Sequence, residues 1–166
     1  MVFLFGVPFL VLLIMLQTAV VSTLPLLHGT ADLVMLVLVA WALQERVPSA
    51  IEWGVIGGLM VGGISAAPFW VPLASYLSAV GLARLLRRRV WQTPLLAMFI
   101  TTIAGSLAIH LITWAVLVVK GTPLPVWDSL NQVVLPATLL NLLLALPVYA
   151  LISDLAQSAY PEEVSR

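Results

Sequence analysis

Ser65 and His110 are the residues closest to a catalytic pair in this sequence. An intramembrane serine protease needs a hydroxyl nucleophile, a histidine base and donors that hold the developing oxyanion. Ser65 lies in Gly63-Ile64-Ser65-Ala66, which lacks the last glycine of a Gly-x-Ser-Gly setting, and His110 has no neighbouring glycine in Ala108-Ile109-His110-Leu111. No oxyanion donor stands out, so His110 reads as a buried imidazole bonded to a backbone carbonyl or to Thr102, Thr113 or Asn141. The remaining polar residues within apolar stretches are Gln17, Thr18, Thr101, Thr102, Ser106 and Asn141. Such groups must face protein or water and find partners. They either line a small cavity or bond helices together.

No carboxylate is expected at mid-depth, because Asp32 and Asp154 fall at predicted helix ends; this argues against a proton- or sodium-coupled pump. There is no cysteine, hence no disulfide or thiolate ligand. No phosphate-binding glycine loop, His/Glu metal pair or acidic cluster is present. The sequence therefore predicts no enzyme, no metal, no cofactor and no nucleic-acid partner.

Two patterns remain. Gly54, Gly58, Gly62 and Ala66 recur every four residues and form one smooth stripe on a helix, which Gly57 and Gly63 widen. Small residues at this spacing let backbones approach closely in an apolar solvent. The stripe is either internal packing or a docking face for a partner helix. Arg84, Arg87, Arg88 and Arg89 are four of the seven basic residues. Such a cluster pins topology on the cytoplasmic side, and it could also contact anionic lipid or a cytoplasmic partner.

These residues are carried by apolar elements. The 166 residues are 62% hydrophobic and 8% charged, against about 25% charged in soluble domains. Residues 1–31, 53–83, 90–119 and 129–153 contain no Asp, Glu, Lys or Arg. The class is an all-α polytopic membrane protein. Six spans are predicted at 2–24, 31–44, 51–67, 72–86, 94–119 and 133–153, with Pro68 and Pro72 dividing the third from the fourth. Residues 120–132 form the longest polar connection and residues 154–166 a polar tail. Asp32 caps the second helix. With the arginine cluster inside, both termini are cytoplasmic. Arg46 and Arg166 join it there, and only Lys120 lies outside. Trp41, Trp53, Trp70, Trp91 and Trp127 fall near helix ends, as interfacial belts require.

Several short motifs follow one another along the chain. They are Leu16-Gln17-Thr18 in the first span, Leu24-Pro25-Leu26-Leu27 after it, Ala31-Asp32-Leu33 opening the second helix, and the glycines of the third. The arginine run closing the fourth helix follows, then Asn141 with Pro147-Val148-Tyr149 in the last. In this order they resemble the rod-shape-determining MreD family. Ala31 replaces the family's proline, and Gly62-Gly63 stands where many members carry an acid. The resemblance implies a six-transmembrane-helix bundle similar to the substrate-binding S components of energy-coupling-factor transporters. It implies a non-enzymatic scaffold of the bacterial cell-elongation and peptidoglycan-synthesis complex in the inner membrane. Such a scaffold binds MreC and works beside MreB, RodA and a class B penicillin-binding protein. The alternative is a transporter S component, with a polar pocket near His28, Lys120, Trp127 and Asp128.

Overall fold

The computed structural model describes residues 2–23, 26–89, 93–122 and 125–160. The regular elements among them are helical: α1 (Val2–Ala19), α2 (Leu33–Leu43), α3 (Ala50–Ile64), α4 (Trp70–Arg89), α5 (Pro94–Val119), the single turn α6 (Val126–Ser129) and α7 (Leu135–Ala159). A π-helical turn, Leu130–Val134, joins α6 to α7. Val126–Ala159 thus runs as one 34-residue rod. This rod and α5 are long and apolar enough to cross a membrane, while α2 and α3 are shorter apolar helices.

The centre of the molecule is α2. All eleven of its residues are buried, and a helix that is apolar all round must be enclosed on every side. Helices α1, α3, α4, α5 and α7 pack around it. At 1.5 Å per residue α2 is only about 16 Å long. Its start is fixed by the Asp32 cap and its end by the extended backbone of Gln44 (φ −71°, ψ 126°).

Small residues decide how closely the surrounding helices approach. A Cβ on Gly54 would stand 3.3 Å from Val80 of α4, and one on Gly58 would stand 2.7 Å from the Leu73 backbone. A Cβ on Gly105 of α5 would reach Ala79 of α4 at 3.2 Å and the Met35 sulfur at 3.3 Å. The α3–α4–α5 layer is therefore packed nearly backbone to backbone around α2.

The loop from Leu26 to Asp32 lies directly on the Val126–Ala159 rod. Pro136 has no N–H, so it offers no donor to the carbonyl four residues earlier, that of Gln132. The π turn lies at this point, with the Leu135 N–H reaching Leu130 O. The His28 N–H donates to the free Gln132 carbonyl at 3.0 Å. Gly29 then sits against the backbone of Val133, Pro136 and Ala137, where any side chain would collide.

Several helix ends differ from the sequence expectation. Helix α1 stops at Ala19 and α3 at Ile64, short of the expected 24 and 67. Helix α4 starts at Trp70, which places Pro72 in its first turn, where its ring is tolerated. It also runs past residue 86 to Arg89. Only α5 matches its expected bounds at both ends. The final rod starts seven residues before the expected 133, so part of the predicted connection is helical. It also extends six residues beyond 153. Ile152 and Ala156 continue the buried stripe there, while Asp154, Gln157 and Ser158 are exposed. Of the polar residues expected in the tail, those within 154–159 form the outer face of a helix, and 161–166 lie outside the described residues.

Candidate functional site

The interior polar groups converge on the first turn of α2. A helix begins with N–H groups that have no intrahelical acceptor, and an enclosed helix cannot leave them to water. Three elements supply the acceptors. The Asp32 Oδ1 takes the Met35 N–H at 2.9 Å. The Gln17 Oε1, from α1, takes the Val34 N–H at 3.0 Å. The Asn141 Oδ1, from α7, takes the Asp32 N–H at 2.7 Å.

Two of these side chains have a further tie. The Tyr76 hydroxyl of α4 donates to both Asp32 oxygens at 3.1 Å. The Asn141 Nδ2 donates to Ser106 Oγ of α5 at 2.8 Å. Tyr76, Ser106 and Asn141 are buried, and Asp32 is partly buried. The cluster joins α1, α2, α4, α5 and α7, and Ser106 places it at the midpoint of α5. No ion pair to Asp32 occurs among the described residues. Its carboxyl is thus not confined to a peripheral helix end, as the sequence suggested. It is a half-buried group bonded on several sides. Around it, the Ser75, Thr102 and Thr138 hydroxyls are buried without a partner among the described residues.

Chemically, this arrangement holds a helix end; every oxygen in it already accepts or shares a proton. Gln17 and Asn141, singled out from sequence, are brought together. His110 is not. It is half-buried on α5 and makes no hydrogen bond to Thr102, Thr113 or Asn141. Asn141 spends its amide on Asp32 and Ser106 instead. Thr101 bonds back to Ala97 O and Met98 O, and Thr18 to Ile14 O and Met15 O. Ser65 Oγ accepts the Ala67 N–H at 3.1 Å, as the cap of a turn, and no hydrogen bond joins it to His110. Tyr76 was missed from sequence: it is one of three tyrosines, and nothing in its local context marks it.

The glycine stripe is divided. Gly54, Gly58 and Gly62 face α4 and the turn before it, with Gly62 under the Phe69 backbone. Ala66 lies beyond the end of α3 and is exposed, so it is not part of that face. Gly57 turns instead to Leu38 and Val34 of α2, and Gly63 meets open space. The contact that these glycines make is internal.

The arginines form a clamp at the opposite end of α2. The Arg84 guanidinium donates to Val47 O (3.2 Å) and Pro48 O (2.8 Å), and the Arg87 guanidinium donates to Gln44 O (2.7 Å). These carbonyls belong to the α2–α3 loop, which carries the exposed Arg46. Arg88 is exposed. The Arg89 side chain, Trp91 and Arg166 lie outside the described residues.

The same end holds a cavity of about 380 Å³ between α1, α2, α3 and α7. Trp41 and Trp53 form part of its wall. His28, Lys120, Trp127 and Asp128 lie at the other end of the bundle and are all exposed.

No protein-family model, curated protein or solved structure matches this chain. Among the described residues, fold and site together define an all-helical arrangement with two helices long and apolar enough to cross a membrane, organised around a short buried helix.

Proposed function

We propose that the chain is a six-span, non-enzymatic scaffold of the bacterial cell-elongation complex, an MreD-like protein of the inner membrane that binds MreC. One observation carries the scaffold part of this reading. The side chains of Gln17, Asp32, Tyr76, Ser106 and Asn141 are spent on one another and on the first turn of α2. They fix a rigid centre. The elongation part rests on the order of motifs along the chain, from Leu16-Gln17 to Pro147-Val148-Tyr149. MreB, RodA and a class B penicillin-binding protein are its direct or indirect neighbours.

Membrane insertion is supported by the exposed faces. Leu111, Val119, Leu135, Leu143 and Leu151 are each at least half exposed along α5 and α7, and lipid is the solvent in which such faces are stable. The six helices other than α6 provide the crossings. Helices α2 and α3, of 11 and 15 residues, are too short for the roughly 30 Å hydrocarbon layer, and their neighbours shield them from that mismatch.

The test is affinity purification of the tagged chain from native membranes in mild detergent, with mass spectrometry of what accompanies it. MreC in the eluate, and rounded cells after depletion, are the expected results. A chain that brings down no elongation protein, in cells that keep their rod shape without it, overturns the assignment.

A further inference from the structure

We infer that the cavity beside Trp41 is a binding site for an anionic glycerophospholipid, which inserts one acyl chain there and sets its headgroup at the arginine-bearing end of the bundle. The inference rests on the reading of the chain as a membrane protein. Three features of different chemistry meet at this place, and one molecule answers all three.

The first is apolar volume. The cavity holds about 380 Å³ and is walled by Leu10, Val37, Leu38, Trp53 and Ile152, within the usual range of about 300–1,000 Å³ for ligand sites. Its α7 side includes Leu155 and Ala159, both exposed, so it is reached from the flank of the bundle. A flexible hydrocarbon chain fits such a space.

The second is a donor. Trp41 lines the cavity, is 9% exposed, and its Nε1–H has no acceptor among the described residues. A buried N–H without an acceptor is costly. An ester carbonyl, at the junction of acyl chain and glycerol, supplies one where the indole edge, enclosed in this structure, turns toward the bound chain.

The third is positive charge at the same end. The Gln44 N–H donates to Trp41 O, and the Gln44 carbonyl takes the Arg87 guanidinium. Arg46 and Arg88 are exposed beside this loop. Basic residues near a membrane surface attract anionic headgroups.

The test uses the full chain, purified in mild detergent and exchanged into nanodiscs of phosphatidylcholine containing phosphatidylglycerol. A phosphatidylglycerol probe with a diazirine in its acyl chain is then photolysed, and the crosslinked peptides are mapped. Because α2 is buried on every side, acyl labelling of Val37 or Trp41 has to come through the cavity. Labelling of these residues is expected, together with Ile152. It should be lost in Ala159→Trp and in Leu155→Trp, which fill the flank at exposed positions. In Arg46→Gln/Arg88→Gln, a matching phosphatidylcholine probe should label as well as the anionic one.

Labelling confined to the exposed faces of α5 and α7 overturns the site. Unchanged α2 labelling in an Ala159→Trp chain of wild-type helicity does the same. Equal labelling of the wild type by both probes overturns the anionic preference. If instead the chain fractionates as a soluble protein without detergent, it is the membrane reading that fails, which is a separate result.

Discussion

Asp32 gathers more of this structure than any other single residue. Its side chain caps α2 through Met35 and receives the Tyr76 hydroxyl, while its own N–H is held by Asn141. Asp32→Ala removes an N-cap, worth about 1 kcal/mol, and orphans a buried tyrosine hydroxyl at about 1–3 kcal/mol. A loss of about 2–4 kcal/mol is expected in unfolding of the detergent-solubilised protein. Asp32→Asn keeps an acceptor for both donors and should lose much less. If Asn proves as damaging as Ala, the negative charge itself is required, and the helix-capping account is wrong. Part of this cluster was legible in the sequence. Asp before an apolar run is a recognisable cap, and Gln17 and Asn141 stand out within uncharged stretches. Their convergence was not legible, because the Asp32–Asn141 bond spans 109 positions and local pattern carries no information about that pairing. His110 shows the reverse. Its type invited a partner, yet the geometry aligns Asn141 with Ser106 one turn earlier on α5.

Among the elements, the α3–α4 pair makes the sharpest prediction. Gly58→Leu places a side chain where a Cβ alone would come within 2.7 Å of the Leu73 backbone. Backbone cannot yield as a side-chain tip does, so α3 must move away from α4, and the expected result is loss of folded protein. Gly63→Leu and Ala66→Leu should be tolerated, since one position faces open space and the other is exposed. Size-exclusion profiles of the three variants decide the matter. Equal behaviour of Gly58→Leu and Gly63→Leu would remove the packing role. A four-residue repeat marks the face of a helix but not where the helix stops, which is why Ala66 looked like part of the stripe. Two other features escaped the sequence for physical reasons. The final helix runs through residues 154–159 because burial at Ile152 and Ala156 outweighs the polar character of their neighbours. The arginine run reads in the sequence as a topological pin or a contact for lipid or a partner, yet two of its members hold the α2–α3 loop. Arg84→Gln/Arg87→Gln should therefore raise amide hydrogen exchange over residues 44–49 and leave α3 protected. Unchanged exchange there would show that the clamp contributes no order.

Across the whole molecule, one geometric fact constrains insertion. The cavity brings Gly6 near the start of α1 and Ala159 at the end of α7 together with Trp41 and Trp53, and the arginines of α4 clamp the loop between those tryptophans. Both described chain ends therefore lie at the arginine-bearing end of the bundle, and Thr122 follows α5 at the other. An even number of crossings with the arginines inside predicts the same arrangement from charge alone. The absence of cysteine makes this directly measurable, because any introduced thiol is unique. Glu45→Cys and Ser158→Cys, both at exposed positions, should resist a membrane-impermeant maleimide applied to osmotically opened cells with an intact inner membrane. Thr122→Cys should react, and permeabilisation should expose all three. Reaction at Glu45→Cys and Ser158→Cys with protection at Thr122→Cys would invert the orientation while preserving the fold. Reaction at Thr122→Cys and Ser158→Cys but not at Glu45→Cys would instead put both ends of the final rod on one side of the membrane, so that the rod does not cross, and the six-span arrangement would have to be abandoned.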